Sequence, residues 1–440
     1  MQRFSGCCCQ CGKCFYMNKI KYTSAVFLGA FLLFYLNSCI KDTCKSTYAY
    51  SYYIPVYETL SQLQAKIKSA NPIAVENPGK IVVLGDYIFL NEIEKGIHII
   101  DNHDPASPKN IAFIEIPGNA DLALKGNTLY ADSYSDMITL DISDPLKVVL
   151  KKYTENVLPI PYYASQLNYN AANKISGWIK RDTTVSANCG SGGPVTYITG
   201  YYTAGTLQNA SVPAANISGP VGTGGSMARF AIVDHYLYTV DESNLNIFNI
   251  ANSDDPQLLK EVSVDYHVET IYPFENKLFI GSNNGMFIYD IGSTPENPLK
   301  AGAFTHARSC DPVIADTRYA YITLHSGTSC LGYNNELDIV QLNNLVDASL
   351  VKIYNLFSPR GLSKDGNLLF ICDGSDGLKI FNAADVSNIL LIKQFPNIET
   401  YDVIAKNGIA LVVATDGLYQ YDYSDLNNIH LVSKISLLKS

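Results

Sequence analysis

Seven ionisable side chains recur at one place in this 440-residue sequence: Lys80, Asp121, Arg229, Glu269, Asp311, Arg360 and Asp402. Each stands nine or ten positions before an aromatic or branched residue, the set being Phe89, Tyr130, Tyr238, Phe279, Tyr321, Phe370 and Val412. Only 17% of the chain is charged, so an ionisable residue in every copy is a pattern rather than background. Three are positive and four negative. Brought together, with Tyr401, His267 and Cys310 beside them, they would orient a zwitterionic or hydrogen-bonding ligand better than a polyanion. The alternative is that they neutralise one another as a structural ring.

Other chemistry is thinly supplied. His98, His103, His235, His267, His306, His325 and His430 are scattered, with no H-E-x-x-H or other paired spacing. No G-x-S-x-G elbow is present. Asp373-Gly374 and Asp376-Gly377 read as turn dipeptides. These absences disfavour an enzyme, and nothing calls for a metal or another cofactor. The net charge of −9, spread without a block, also disfavours nucleic acid as a partner.

The cysteines separate by position. Cys7, Cys8, Cys9, Cys11 and Cys14 lack the second ligand pair that zinc would need, and they precede Met17, which reads as the true start. Lys19 and Lys21 then form a positive n-region, and Ala25 to Leu36 is apolar but too short to span a bilayer. The stretch ends in Leu36-Asn37-Ser38-Cys39, which resembles a bacterial lipobox and implies lipid on Cys39, with residues 1–38 as the signal region. The competing reading is an ordinary signal peptide with an incidental Cys. Export places the remaining cysteines in an oxidising compartment. Cys310 and Cys330 bracket two strands of one copy, and a disulfide between them is expected. Cys44 and Cys189 are unpaired candidates, and Cys372 reads as a small core residue.

The elements that must position the seven charges come from repetition. The residue closing the third strand of each copy is Asp101, Asp141, Asn249, Asp290, Gln341, Asn382 and Asp422. Successive differences are 40, 108, 41, 51, 41 and 40, so seven copies of about forty residues is the simplest count. Each copy alternates apolar and polar residues at period two and is punctuated by Gly, Asn and Asp, which is the signature of strands. The third strands read "GIHIID", "MITLDI", "LNIFNI", "MFIYDI", "LDIVQL", "LKIFNA" and "LYQYDY". Asp104-Pro105, Asp144-Pro145 and Asp255-Pro256 follow three of them and predict Asx turns rather than calcium ligands.

Four-stranded antiparallel sheets cannot bury both faces alone, and stacking seven around an axis gives an all-β, seven-bladed β-propeller. Residues 80–440 are assigned to it and 39–79 to a tether. Within 55–79, Leu60, Leu63 and Ile67 share a helical face, predicting a short N-terminal helix under the ring. Residues 150–225 form an insertion after the second copy whose Gly-, Ser- and Thr-rich latter half reads as a long loop. Innermost strands line the channel of such a ring, so the seven charges are expected at its mouth.

The phrase "GIHIIDNHDPASP" resembles the LVIVD repeat, a propeller-forming repeat of bacterial surface proteins, and the likeness covers roughly residues 80 to 437. The opening copy is similar to LVIVD-repeat lipoproteins of the Bacteroidetes. Copies five and six depart from the pattern, with "DIVQLNN" and "KIFNAADVSN" lacking the Pro. The resemblance implies a seven-bladed propeller tethered by lipid and implies no particular activity. The single Trp178 leaves no room for the Trp-bearing Asp-box of sialidases or the recurring Trp of quinone-dependent propeller dehydrogenases. The expectation is a lipid-anchored platform in the bacterial outer membrane, on its periplasmic or surface face, binding an envelope protein. A glycan binder using Tyr162, Tyr163, Tyr201 and Tyr202, or an enzyme at the channel mouth, are the alternatives.

Overall fold

The computed structural model describes residues 45–158, 173–188, 219–306, 312–326, 334–346 and 348–437. The chain divides into two units, Met1–Tyr52 with Arg181–Tyr197, and Tyr53–Lys180 with Ile198–Ser440. Strands Lys45–Thr59 and Asn173–Asn188 pair as a two-stranded ribbon. In the first unit the hydroxyl of Ser51 donates to Asp182 Oδ1 at 2.5 Å.

The second unit holds seven sheets, each with four strands hydrogen-bonded in chain order. Their third strands end at Asp101, Asp141, Asn249, Asp290, Gln341, Asn382 and Asp422, the seven anchors of the sequence repeat. A third strand has neighbours on both sides and a sheet packed on each face, so it is buried almost throughout, as in Gly285–Asp290. Even the polar residues that alternate within them, Thr139, Asn246, Asp338 and Gln420, are therefore buried.

Seven clusters of buried side chains fill seven gaps between consecutive blades. The last joins Ile81, Ile88, Leu90 and Ile100 of blade 1 to Ile404, Leu411, Val413 and Leu418 of blade 7. This contact closes the circle. The chain is a seven-bladed β-propeller.

Phe89, Tyr130, Tyr238, Phe279, Tyr321, Phe370 and Val412 are each no more than 1% exposed. Burial of such a side chain contributes roughly 1.5–3 kcal/mol, so their repetition is the main apolar investment of the second strands. Several Tyr hydroxyls then reach backbone carbonyls, Tyr130 to Ser253 O at 3.0 Å and Tyr238 to Pro295 O at 2.8 Å.

The turn chemistry is equally regular. Asp101, Asp141, Asn249, Asp290, Asn382 and Asp422 each accept a bond from the amide two residues on, at 2.8–3.0 Å. Asp104 and Asp144 repeat the motif in the next turn, both at 3.0 Å. Asp255 does not. Asn252 takes that role in its blade, and Asp255 meets Lys152 Nζ instead. The copies without Pro keep the turn through Asn344 and Asp385. All seven outer strands also carry a register shift near their start. A bulge at an exposed edge hinders pairing with another chain.

Three boundaries differ from the sequence reading. The helix is only Leu60–Lys66, capped by Thr59 and Gln62, and it does not lie under the ring. It precedes Ser69–Ala70, which adds to the outer strand of blade 1 at Phe113 and Ile114, so the apolar face of Leu63 and Ile67 meets the gap between blades 1 and 2 from the rim. The insertion does not start at 150, because Val149–Thr154 is the outer strand of blade 2. Nor does it run loose to 225, since Thr223–Gly224 pairs with blade 1.

Gly96, Gly285 and Gly417 open their third strands at φ of 148–157°. A Cβ at Gly96 would stand 2.0 Å from the carbonyl oxygen of Ile114, which is backbone and cannot swing away. Gly96→Ala is expected to lower the unfolding free energy by about 1–3 kcal/mol, read as a fall in the urea midpoint; an unchanged midpoint would contradict this reading of the turn.

Candidate functional site

The inner strands are short, and the predicted charges sit at their entrances. Lys80 lies within the first, Pro78–Leu84, while Asp121 and Arg229 immediately precede Leu122–Lys125 and Phe230–Val233. Glu269 and Asp402 fall inside Val268–Phe274 and Thr400–Lys406, and Arg360 stands two residues before Leu362–Asp365. Asp311 lies outside the described residues, as do Cys39, Cys310 and Cys330. Cys372 is a buried free thiol.

Lys80 is the hub. Burial holds its ammonium below the usual lysine range, opposed by Asp121 and Asp402, while Arg229 and Glu269 also act on it. Five of the seven residues therefore share one electrostatic cluster. Burial likewise pushes Asp402 up to about 6, and raises Asp121 against the pull of Lys80. Arg360 belongs to the same rim, with its guanidinium 4.3 Å from the Tyr401 ring centre and Nη2 3.2 Å from Glu399 Oε1.

What these groups bind is the chain's own backbone. Lys80 Nζ donates to the carbonyl oxygen of Met227, and Asp121 accepts the amide of Arg229. Asp402 accepts the Ser226 hydroxyl at 3.3 Å and its own neighbour Val403 N at 3.0 Å. Ser226 Oγ in turn accepts Leu362 N at 2.8 Å. The collar is thus more than a set of mutual ion pairs. It grips residues 226–229, the return of the insertion into blade 3.

The preceding residues run along the inner strands. Gly126 N donates to Pro220 O at 2.8 Å and Gly222 N to Leu124 O at 2.8 Å, while Thr223 and Gly224 pair with Val83 and Val82. Lys406 Nζ donates to Thr223 Oγ1 at 2.9 Å. Glycine is required by proximity: a Cβ at Gly222 would lie 2.7 Å from Val82 Cγ1, and one at Gly225 would lie 2.0 Å from Asp402 Oδ2. Val221 borders two cavities of about 280 and 380 Å³. Among the described lining residues of the smaller, Tyr272 is the one titratable side chain.

A second set of carboxylates escaped the sequence reading. Asp132 accepts Ala120 N at 2.7 Å and Asp121 N at 3.0 Å, and burial raises it to about 6. Asp373 accepts Phe357 N at 3.0 Å and Ser358 N at 2.8 Å, and Glu92 accepts Glu76 N at 3.0 Å and Asn77 N at 2.7 Å. Each stands at the end of a second strand and fixes the upstream loop that delivers the collar residue of its own blade, Lys80, Asp121 or Arg360. The available signal was an acid two or three residues after Phe89, Tyr130 and Phe370. His98 is consumed structurally, with Nε2 3.0 Å from Glu92 Oε2 and both side chains fully buried.

Comparison with known proteins bears on the fold. No protein-family model and no curated protein matches the sequence. Among solved structures, the chain resembles a protein from Lactobacillus plantarum at 14% identity, over 82% of this chain and 97% of that one, with a TM-score of 0.51. The computationally designed Ika8 protein matches at 9% identity over 84% and 92%, TM-score 0.49. BamB from Moraxella catarrhalis matches at 9% identity over 84% and 97%, TM-score 0.46. At these identities the likeness is one of fold alone.

The elevated Asp402 carboxyl makes a signed pH prediction. Its folded value lies above the ordinary carboxylate value, so the native state holds this proton more firmly than the unfolded chain. The resulting stabilisation is complete below pH 4 and is lost as pH rises through 6. Between pH 4 and 7, wild type should lose on the order of 2–3 kcal/mol relative to Asp402→Asn, which does not titrate. Urea unfolding at both pH values measures it, and parallel pH profiles would sink the assignment.

Proposed function

We propose that this protein is a lipid-anchored cell-envelope propeller that works as a protein-binding platform. The observation that carries the proposal is the contrast between the collar and its surroundings. The mouth's buried charges are engaged by backbone, whereas the loops leading to them expose large aromatic side chains. Tyr266, three residues before Glu269, is 73% exposed, and Phe357, three residues before Arg360, is 61% exposed. With the stacked Arg360–Tyr401 pair they supply the aromatic and guanidinium anchors that dominate protein interfaces.

The enzyme alternative asks for carboxylates or histidines free to reach a substrate, and Asp121 and Asp402 already hold backbone amides. The glycan alternative rests on Tyr162, Tyr163, Tyr201 and Tyr202, which lie outside the described residues. Attachment rests on the lipobox-like Leu36-Asn37-Ser38-Cys39. The repeat grammar supports membership among LVIVD-repeat lipoproteins, and with it a place in the bacterial outer membrane.

Two measurements test this separately. Cys39→Ser should abolish incorporation of a labelled fatty acid and release the protein from the membrane fraction; retained label on the variant would refute the anchor. Capture from native envelopes should retain a defined protein with wild type and lose it, by about tenfold or more, with Tyr266→Ser/Phe357→Ser. Equal capture by both would remove this face from the proposal.

A further inference from the structure

The ring has a seam without a shared strand. The four repeat strands of blade 1 run from Pro78–Leu84 through Lys109–Glu115 and those of blade 7 from Thr400–Lys406 through His430–Ser436, so neither blade takes a strand from the other end of the repeat array. Across the seam stand the apolar cluster, a reciprocal amide pair and one hydroxyl. Asn102 Nδ2 donates to Gln420 Oε1 at 3.1 Å, Gln420 Nε2 returns to Asn102 Oδ1 at 2.6 Å, and Ser433 Oγ donates to Pro105 O at 2.6 Å. Backbone pairing across it is missing among the described residues.

The insertion's return leg supplies what the seam lacks. On the blade 1 side, Thr223 and Gly224 extend the inner edge of Pro78–Leu84, and Met227 O takes the Lys80 ammonium. On the blade 7 side, Thr223 Oγ1 accepts Lys406 and Ser226 Oγ donates to Asp402. The same hydroxyl takes Leu362 N of blade 6, and Pro220 and Gly222 bond blade 2 before the chain enters blade 3 at Phe230. Ala228 O also accepts Ile271 N of blade 4 at 2.8 Å, so these ten residues bond to five blades and are covalently part of a sixth.

We infer that residues 219–228 are an axial staple that closes the propeller across the seam between blades 7 and 1, in place of a strand exchanged between the chain's two ends. Its geometry is specific. Inner strands have unpaired N–H and C=O groups on their axial edges, and only a chain with glycines at 222 and 225 fits against Val82 and Asp402. The buried ionisable groups of the collar point at peptide carbonyl, amide and hydroxyl, which is the chemistry needed to hold an extended polypeptide.

The test uses the full chain, with Ser226→Ala, which removes the hydroxyl shared by Asp402 and Leu362, and Gly222→Val, which forces the leg from Val82. Hydrogen exchange is followed in the third strands Gly96–Asp101 and Gly417–Asp422, which flank the seam without bonding to the leg, and in Tyr319–Leu324 and Glu336–Gln341 of blade 5. Exchange at the seam should quicken by about tenfold with Ser226→Ala and by more with Gly222→Val, with blade 5 unchanged. Equal acceleration in all four strands, or none at the seam, overturns the inference. Ser226→Ala carries the test alone if Gly222→Val does not fold.

Discussion

Each blade has two apolar faces and can dry them only against its neighbours, so a gap anywhere exposes two surfaces at once. The contact between blades 7 and 1 is therefore the condition on which the other six depend. Buried aliphatic side chains at that contact are worth roughly 1.5–3 kcal/mol apiece. Leaving it open would forfeit an amount comparable with the 5–15 kcal/mol by which a folded domain outweighs its unfolded chain. The Asn102–Gln420 pair adds direction to an otherwise greasy joint, since two amides facing each other satisfy both donors and both acceptors in one registration only.

At the axis the difficulty is reversed. Inner strands come together there and their inward edges carry polar backbone. Charged side chains there need partners, and the polypeptide passing between them provides carbonyl, amide and hydroxyl within reach of Lys80, Asp121 and Asp402. Apolar surface keeps the circumference together and buried polar contacts order the centre.

Much of this was written in the sequence where the repeat is strict. Six of the seven third-strand anchors are Asp or Asn because an Asx turn follows the strand there, and the large residue at the second-strand position, aromatic in six blades, fills an interblade gap. The charges at the inner-strand entrances were legible by position, and five of them do share one cluster. Their partner was not. "GPVGTGGSMA" reads locally as slack chain, and the need for Gly222 and Gly225 arises only from Val82 and Asp402, far away in sequence. The loop-fixing acids Glu92, Asp132 and Asp373 were hidden for a similar reason. Their amide partners lie 11 to 16 residues upstream, and their offset from the second-strand aromatic varies by a residue. Asp255 misled because the turn in its blade is shifted, leaving Asn252 to do the work.

A polypeptide enclosed by a finished circle poses a problem of sequence in time. Threading the ten residues on the axis into the channel after blade 7 has docked on blade 1 is hindered by their covalent attachment to the chain of blade 2 before them and of blade 3 after them. Laying them against blades 1 and 2 first, with the later blades wrapping round them, avoids this. The gene order provides this: the axial residues leave the ribosome after the second blade and before the third. A circular permutant beginning at blade 3 would emerge with its centrepiece last, and would have to complete its circle around something not yet made.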